Sequence, residues 1–183
     1  MDIDSIIQRG QEDDDLALPS STLDILRGFL RDKEDREKEE QRLVQEGANN
    51  TDITESFSED WQLSQFWYTD DTSDRVAREA LKMANGGRIA CLSTPSIFRA
   101  LKRISPALDN CFLFEYDKRF SFYKEKFVFY DYIEPTNLPQ ELKGSFDFII
   151  VDPPFLSEEC QVKASETVQF LRRSQESLTL VLT

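Results

Sequence analysis

The residues best suited to chemistry lie in the stretch Phe146-Asp147-Phe148-Ile149-Ile150-Val151-Asp152-Pro153-Pro154-Phe155. Phe148 to Val151 is an unbroken apolar run, the pattern of a strand covered on both faces. Pro153 and Pro154 cannot donate to a ladder, and each restricts the residue before it, so the strand ends there. Asp152 and Phe155 are therefore expected at the carboxyl end of a sheet, where open α/β sheets bind ligands. A carboxylate, two proline-fixed carbonyls and a flat ring can hold an amino group and aim its lone pair. The same four residues also suit a rigid turn with Phe155 packed on a neighbouring helix.

Two more acids fall at strand ends. Arg88 to Leu92 predicts a first strand, Cys111 to Phe114 a second that ends in Glu115, and Phe127 to Tyr130 a third that ends in Asp131. With Asp152 after the fourth, three consecutive strands would deliver carboxylates to one crevice. A carboxylate after the second strand is placed to accept both hydroxyls of a ribose. One after the third could accept the exocyclic amino group of an adenine. The turn after the first strand would lay the remaining end of such a cofactor against a helix amino terminus. This geometry suits S-adenosylmethionine. A nicotinamide dinucleotide fits worse, because Leu92-Ser93-Thr94-Pro95-Ser96 lacks the glycines of a G-x-G-x-x-G turn.

The elements that must position these acids follow from local pattern. Thr72 or Ser73 is expected to cap a helix through Ala84, with Val76, Ala77, Ala80, Leu81 and Ala84 on one face and Asn85-Gly86-Gly87 closing it. Ser93 or Thr94 caps a helix with Pro95 at its first position and Ile97, Phe98 and Leu101 facing inward. A further helix runs from about Ser157 to Arg173, with Val162, Thr167, Val168 and Leu171 inward. Leu178 to Leu182 is a fifth strand. Strands alternating with helices argue an α/β, Rossmann-like fold: a mostly parallel sheet with helices on both faces.

Ahead of this domain, expected at 59–183, residues 1–58 read as an acidic arm. Residues 1–19 are polar and expected to be disordered. Ser20 or Ser21 caps a helix whose Leu23, Leu26 and Leu30 recur at helical spacing, closing near Gly47, and residues 47–58 form a linker. Trp61 to Tyr68 is dense in aromatics, which either pack or line a pocket for a flat or cationic ligand.

Charge narrows the partners. The net charge is -13, and residues 1–60 hold 18 acids and 7 bases. The remainder is near neutral. Neither part carries the basic footprint that a nucleic-acid backbone requires, so nucleic acid is not the expected partner; an acidic arm suits a basic protein. Cys91, Cys111 and Cys160 show no zinc or disulfide spacing, which fits a reducing, cytoplasmic setting without a metal. There is no histidine, which removes the commonest general base. No apolar run reaches membrane-spanning length.

The segments Gln65-Phe66-Trp67-Tyr68, Ile89-Ala90-Cys91-Leu92-Ser93, Phe114-Glu115-Tyr116-Asp117-Lys118-Arg119-Phe120, Phe129-Tyr130-Asp131-Tyr132 and Asp152-Pro153-Pro154-Phe155-Leu156-Ser157-Glu158-Glu159-Cys160 together resemble the eukaryotic lysine methyltransferases of elongation factor 1-alpha. These are class I, seven-β-strand enzymes that also look like N6-adenine methyltransferases through their Asp-Pro-Pro-Phe motif. The resemblance implies S-adenosylmethionine as methyl donor and elongation factor 1-alpha as protein substrate. It implies that Glu115 holds the ribose, Asp131 sits near the adenine and Ser93 lies beside the methionine end. Phe66, Trp67 and Tyr68 would close over the cofactor or the lysine channel. Asp152, Pro153, Pro154 and Phe155 would bind the acceptor amine. Asp117 is an alternative ribose ligand, although its place after a strand suits a helix cap better. Family members continue past the fifth strand, whereas this chain stops at Thr183. A shortened monomer whose fifth strand is an exposed edge able to associate is therefore expected. An N6-adenine methyltransferase using the same four residues, and a non-catalytic binding module, are the alternatives.

Overall fold

The computed structural model describes residues 67–182 and, ahead of them, scattered residues between 22 and 42. The chain divides into two units, residues 1–48 and 49–183. In the first, the described residues are helical, and Ile25 and Phe29 are exposed. The expected cap at Ser20 or Ser21, the helix end near Gly47, the linker and the aromatics Trp61 to Phe66 lie outside the described residues.

In the second unit, helix α1 spans Asp70–Ala84. Its cap is Thr69, whose hydroxyl accepts the Thr72 N–H at 3.4 Å, and not Thr72 or Ser73 as the sequence suggested. Asp70 and Asp71 suit the positive end of the helix, so the first turn begins earlier. Ser73 is instead buried, and its hydroxyl donates to the Tyr68 carbonyl at 3.4 Å. Ala77, Ala80 and Ala84 are buried, and Asn85, in the left-handed conformation at φ 46°, closes the helix.

Strand β1, Ile89–Leu92, is buried throughout. Helix α2, Pro95–Ile104, follows with Thr94 as its cap residue and Ile97, Phe98 and Leu101 wholly buried. Strand β2 spans Cys111–Glu115 and β3 spans Phe127–Phe129, separated by a kinked 3-10 stretch, Lys118–Lys126. β3 stops one residue before the expected Tyr130, whose N–H still donates to the Glu115 carbonyl at 3.1 Å. Strand β4 is Phe148–Val151, and helix α3, Glu158–Leu171, is capped by the Ser157 hydroxyl. Within α3, Thr167, Val168 and Leu171 are buried as expected, but Val162 is 52% exposed and belongs to the outer face. Strand β5, Leu178–Val181, completes the described sheet, with Leu178 and Val181 exposed.

All four strand pairs are parallel, in the order β3-β2-β1-β4-β5. β1–α2–β2 runs to one side and β4–α3–β5 to the other. With right-handed crossovers the two helices cover opposite faces, and the order reverses between β1 and β4. Alternation along the strands divides the core accordingly. Ala90, Leu92, Phe114, Ile149 and Val151 pack with Ala164, Val168 and Leu171 of α3. The intervening Ile89, Cys91, Leu113 and Ile150 are equally buried on the other face. Register fixes the height of each strand end: Leu92 pairs with both Phe114 and Val151, and Glu115 pairs with Phe129.

Candidate active site

Because the strands are parallel and in register, their carboxyl ends finish at one level. In sheet order this edge presents Asp131 just past β3, Glu115 at the end of β2, Ser93 past β1 and Asp152 past β4. Two backbone bonds hold the middle of the row: the Ser93 N–H donates to the Phe114 carbonyl at 2.8 Å, and the Asp152 N–H to the Leu92 carbonyl at 3.1 Å. Adjacent strands lie about 4.8 Å apart, so the row runs along one edge of the sheet and not over separate surfaces.

Each carboxylate is shaped differently. Glu115 is 6% exposed and folds back on its own chain, Oε1 accepting the N–H groups of Tyr116 at 3.1 Å and Asp117 at 3.3 Å. Asp131 is half-buried and accepts the Ile133 N–H at 2.9 Å. Asp117, the alternative ribose ligand, serves as the cap of the 3-10 stretch. It accepts the Arg119 N–H at 2.9 Å and is paired with that guanidinium at 2.7 Å.

Asp152 is held differently again. Its Oδ2 accepts the Tyr68 hydroxyl at 3.0 Å, across 84 residues of sequence. Burial pushes the Asp152 carboxyl above the usual carboxylate range, while the Tyr68 hydrogen bond pulls it back. The Tyr68 phenol is pushed up to about 12 by burial, and by the charge and hydrogen bond of Asp152. Tyr68 is thus a protonated, neutral donor at physiological pH.

Past Asp152, Pro153 is buried and Pro154 half-buried. Phe155 is 45% exposed and meets the Tyr132 ring edge-on, with centroids 5.6 Å apart, while its carbonyl accepts Gln161 Nε2 at 3.4 Å. β4 ends ahead of the prolines as expected, and the Phe155 ring meets a residue of the β3 loop and stays open to solvent. Tyr132 was not singled out from sequence, although it neighbours Asp131 in a quoted segment. Trp67 is half-buried under the Arg99 guanidinium, 5.2 Å from the ring centroid, and Phe66 lies outside the described residues.

The turn between β1 and α2 suits an anionic group. α2 has no acid in its first turn, and Thr94 makes no side-chain capping bond. The Thr94 Oγ1 is buried beside the Cys91 thiol and has no oxygen or nitrogen partner among the described residues, and Ser93 holds a left-handed φ of 54° that glycine adopts more readily. An uncapped, positive helix end at the switch point, with a buried carboxylate one strand away, fits the two ends of a nucleoside bearing an amino-acid tail.

A five-stranded parallel sheet in this order, flanked by helices, is a Rossmann-like fold of the kind methyltransferases use. A family profile described as "Probable N6-adenine methyltransferase" matches residues 59–183. The chain is 44% identical over 167 residues to EEF1A lysine methyltransferase 1 of Mus musculus, an alignment covering 90% of this chain and 75% of that protein. It is 42% identical over 171 residues to a protein-lysine N-methyltransferase of Dictyostelium discoideum, covering 92% and 74%. It is 38% identical over 180 residues to one of Drosophila melanogaster, covering 93% and 78%. The chain belongs to this family of protein-lysine N-methyltransferases, whose catalytic domain is of the N6-adenine-methyltransferase type. Among the described residues, no helix is long and apolar enough to cross a membrane.

Proposed function

We propose that the chain methylates a lysine ε-amine of translation elongation factor 1-alpha, with S-adenosylmethionine as donor and Asp152, Pro153, Pro154 and Phe155 as the acceptor site. The observation that carries this reading is the register at the switch point. Leu92 and Val151 are paired, so Ser93 and Asp152 leave adjacent strands together. Ser93 and Thr94 would hold the methionine end of the cofactor and Glu115 its ribose, with Asp152 on the neighbouring strand end. Asp131 would then face the adenine.

Bound there, S-adenosylmethionine supplies a methyl group on a positively charged sulfur, open to in-line displacement. The protein's work is to deliver a neutral amine along that line. A free lysine has a pKa of about 10.4, so its ammonium must lose a proton first. With no histidine in the chain, a desolvated channel that lowers this pKa, and water as proton acceptor, meet the need. Asp152 and the Pro153 carbonyl orient the amine, and Phe155 with Tyr132 gives the aliphatic stem an aromatic wall. EEF1A lysine methyltransferase 1 of Mus musculus supports this choice of substrate. A cytoplasmic setting fits three buried free thiols.

The test is transfer of labelled methyl from S-adenosylmethionine to purified elongation factor 1-alpha, to a cell lysate and to nucleic acid. Label in one protein band at the mass of the elongation factor supports the reading. Label confined to nucleic acid replaces it with the adenine N6 reaction, and no label anywhere leaves a binding module.

A further inference from the structure

Tyr68 reaches Asp152 from a segment clamped on two sides. Its carbonyl accepts the hydroxyl of Ser73, which is 2% exposed in α1. Trp67 beside it lies under Arg99 of α2, and Thr69 after it caps α1. Two helices thus fix three consecutive residues, and the phenol among them meets Asp152 Oδ2 at 3.0 Å.

We propose that Tyr68 is a positioning residue of the acceptor site: its O–H fixes Oδ2 of Asp152 so that Oδ1 is presented to the incoming amine. The inference rests on the acceptor-site reading above. The carboxylate torsion of an aspartate is broad and roughly two-fold, so one hydrogen bond to one oxygen selects a single orientation. Pro153 confines the backbone of Asp152 to the extended region. Side chain and main chain are then fixed from two distant parts of the sequence. A neutral donor does this without cancelling the negative charge that draws in an ammonium, as a lysine or arginine would. The Tyr68 hydrogen bond favours the charged form of Asp152, so the bond has a direct readout.

Tyr68→Phe keeps the ring and removes the O–H; Tyr68→Leu removes the ring as well. In the full chain, carbon-13 NMR follows the Asp152 carboxyl, calorimetry follows S-adenosylmethionine binding, and steady-state kinetics follow transfer. Loss of a bond to the charged form should raise the Asp152 midpoint in Tyr68→Phe, where the ring still buries the carboxyl. Cofactor affinity should hold within about twofold, and kcat should fall on the order of tenfold, more than KM rises. An unmoved midpoint in Tyr68→Phe overturns the inference. So does weakened cofactor binding with an unmoved midpoint, which would return Tyr68 to the cofactor. Full transfer by Asp152→Ala would instead remove the acceptor-site reading, a failure separable from the titration because the titration needs no turnover.

Discussion

β4 carries an aspartate at each end, and the two are treated in opposite ways. At the amino end, Asp147 Oδ2 accepts the Arg88 N–H at 2.8 Å, and Oδ1 pairs with Arg173 at 2.8 Å. Gly87 lies against it so closely that a Cβ there would be 2.7 Å from the Asp147 Cβ. The Arg88 guanidinium stacks near the rings of Phe112 and Phe146, 4.7 and 4.9 Å from their centroids. At the carboxyl end, Asp152 has a phenol and, among the described residues, no cation. The same residue type on the same strand is neutralised where it holds the sheet together. At the other end it meets a neutral donor instead. If the proposed acceptor site is right, the direction of the parallel sheet separates stability from chemistry.

Breaking each acid in turn should expose that separation most strongly in turnover. Asp152→Ala should lower methyl transfer on the order of a hundredfold with S-adenosylmethionine binding retained, whereas Asp147→Ala should leave the rate per folded molecule unchanged. Comparable rates for the two variants would erase the distinction.

Stability should show the reverse order. Asp147→Ala removes an ionic partner from a backbone N–H and from Arg173, and should cost about 2 kcal/mol in urea unfolding. Gly87→Ala forces a contact with the Asp147 Cβ and should cost roughly 1–3 kcal/mol by overpacking. Asp152→Asn should cost much less, because it removes a charge that burial disfavours.

The pH dependence of unfolding sharpens the point. A carboxyl raised in the folded state binds more protons folded than unfolded. Its stabilising contribution is therefore full below the unfolded pKa and is lost as pH rises through the folded value. Wild-type stability should carry this falling component between those two points, and Asp152→Asn should lack it. Equal slopes in the two proteins would contradict the burial of Asp152.

The smallest effect belongs to Ser93. Its left-handed backbone is strained for any side chain, so Ser93→Gly should be neutral or gain up to about 1 kcal/mol. If the hydroxyl serves the cofactor, calorimetry should show S-adenosylmethionine binding weakened by a few-fold. A more stable variant with unchanged affinity would leave Ser93 as a turn residue only.

Local pattern in the sequence determined much of this protein. Apolar runs located β1, β2, β4 and β5, and Pro153 and Pro154 fixed where β4 stops, because a missing donor ends a ladder whatever surrounds it. Alternation of strands with helices dictated parallel pairing, and from that the shared edge of Glu115, Asp131 and Asp152. These are short-range consequences of backbone chemistry. Tertiary structure decided what each acid meets. The bond from Tyr68 to Asp152 spans 84 residues, and no spacing rule encodes it. The outward side of Val162 and the contact of Tyr132 with Phe155 depend likewise on how helices and loops settle on the sheet. A chain can write its own turns and strands, but the partner of a buried carboxylate is chosen only when distant segments compete for the same space.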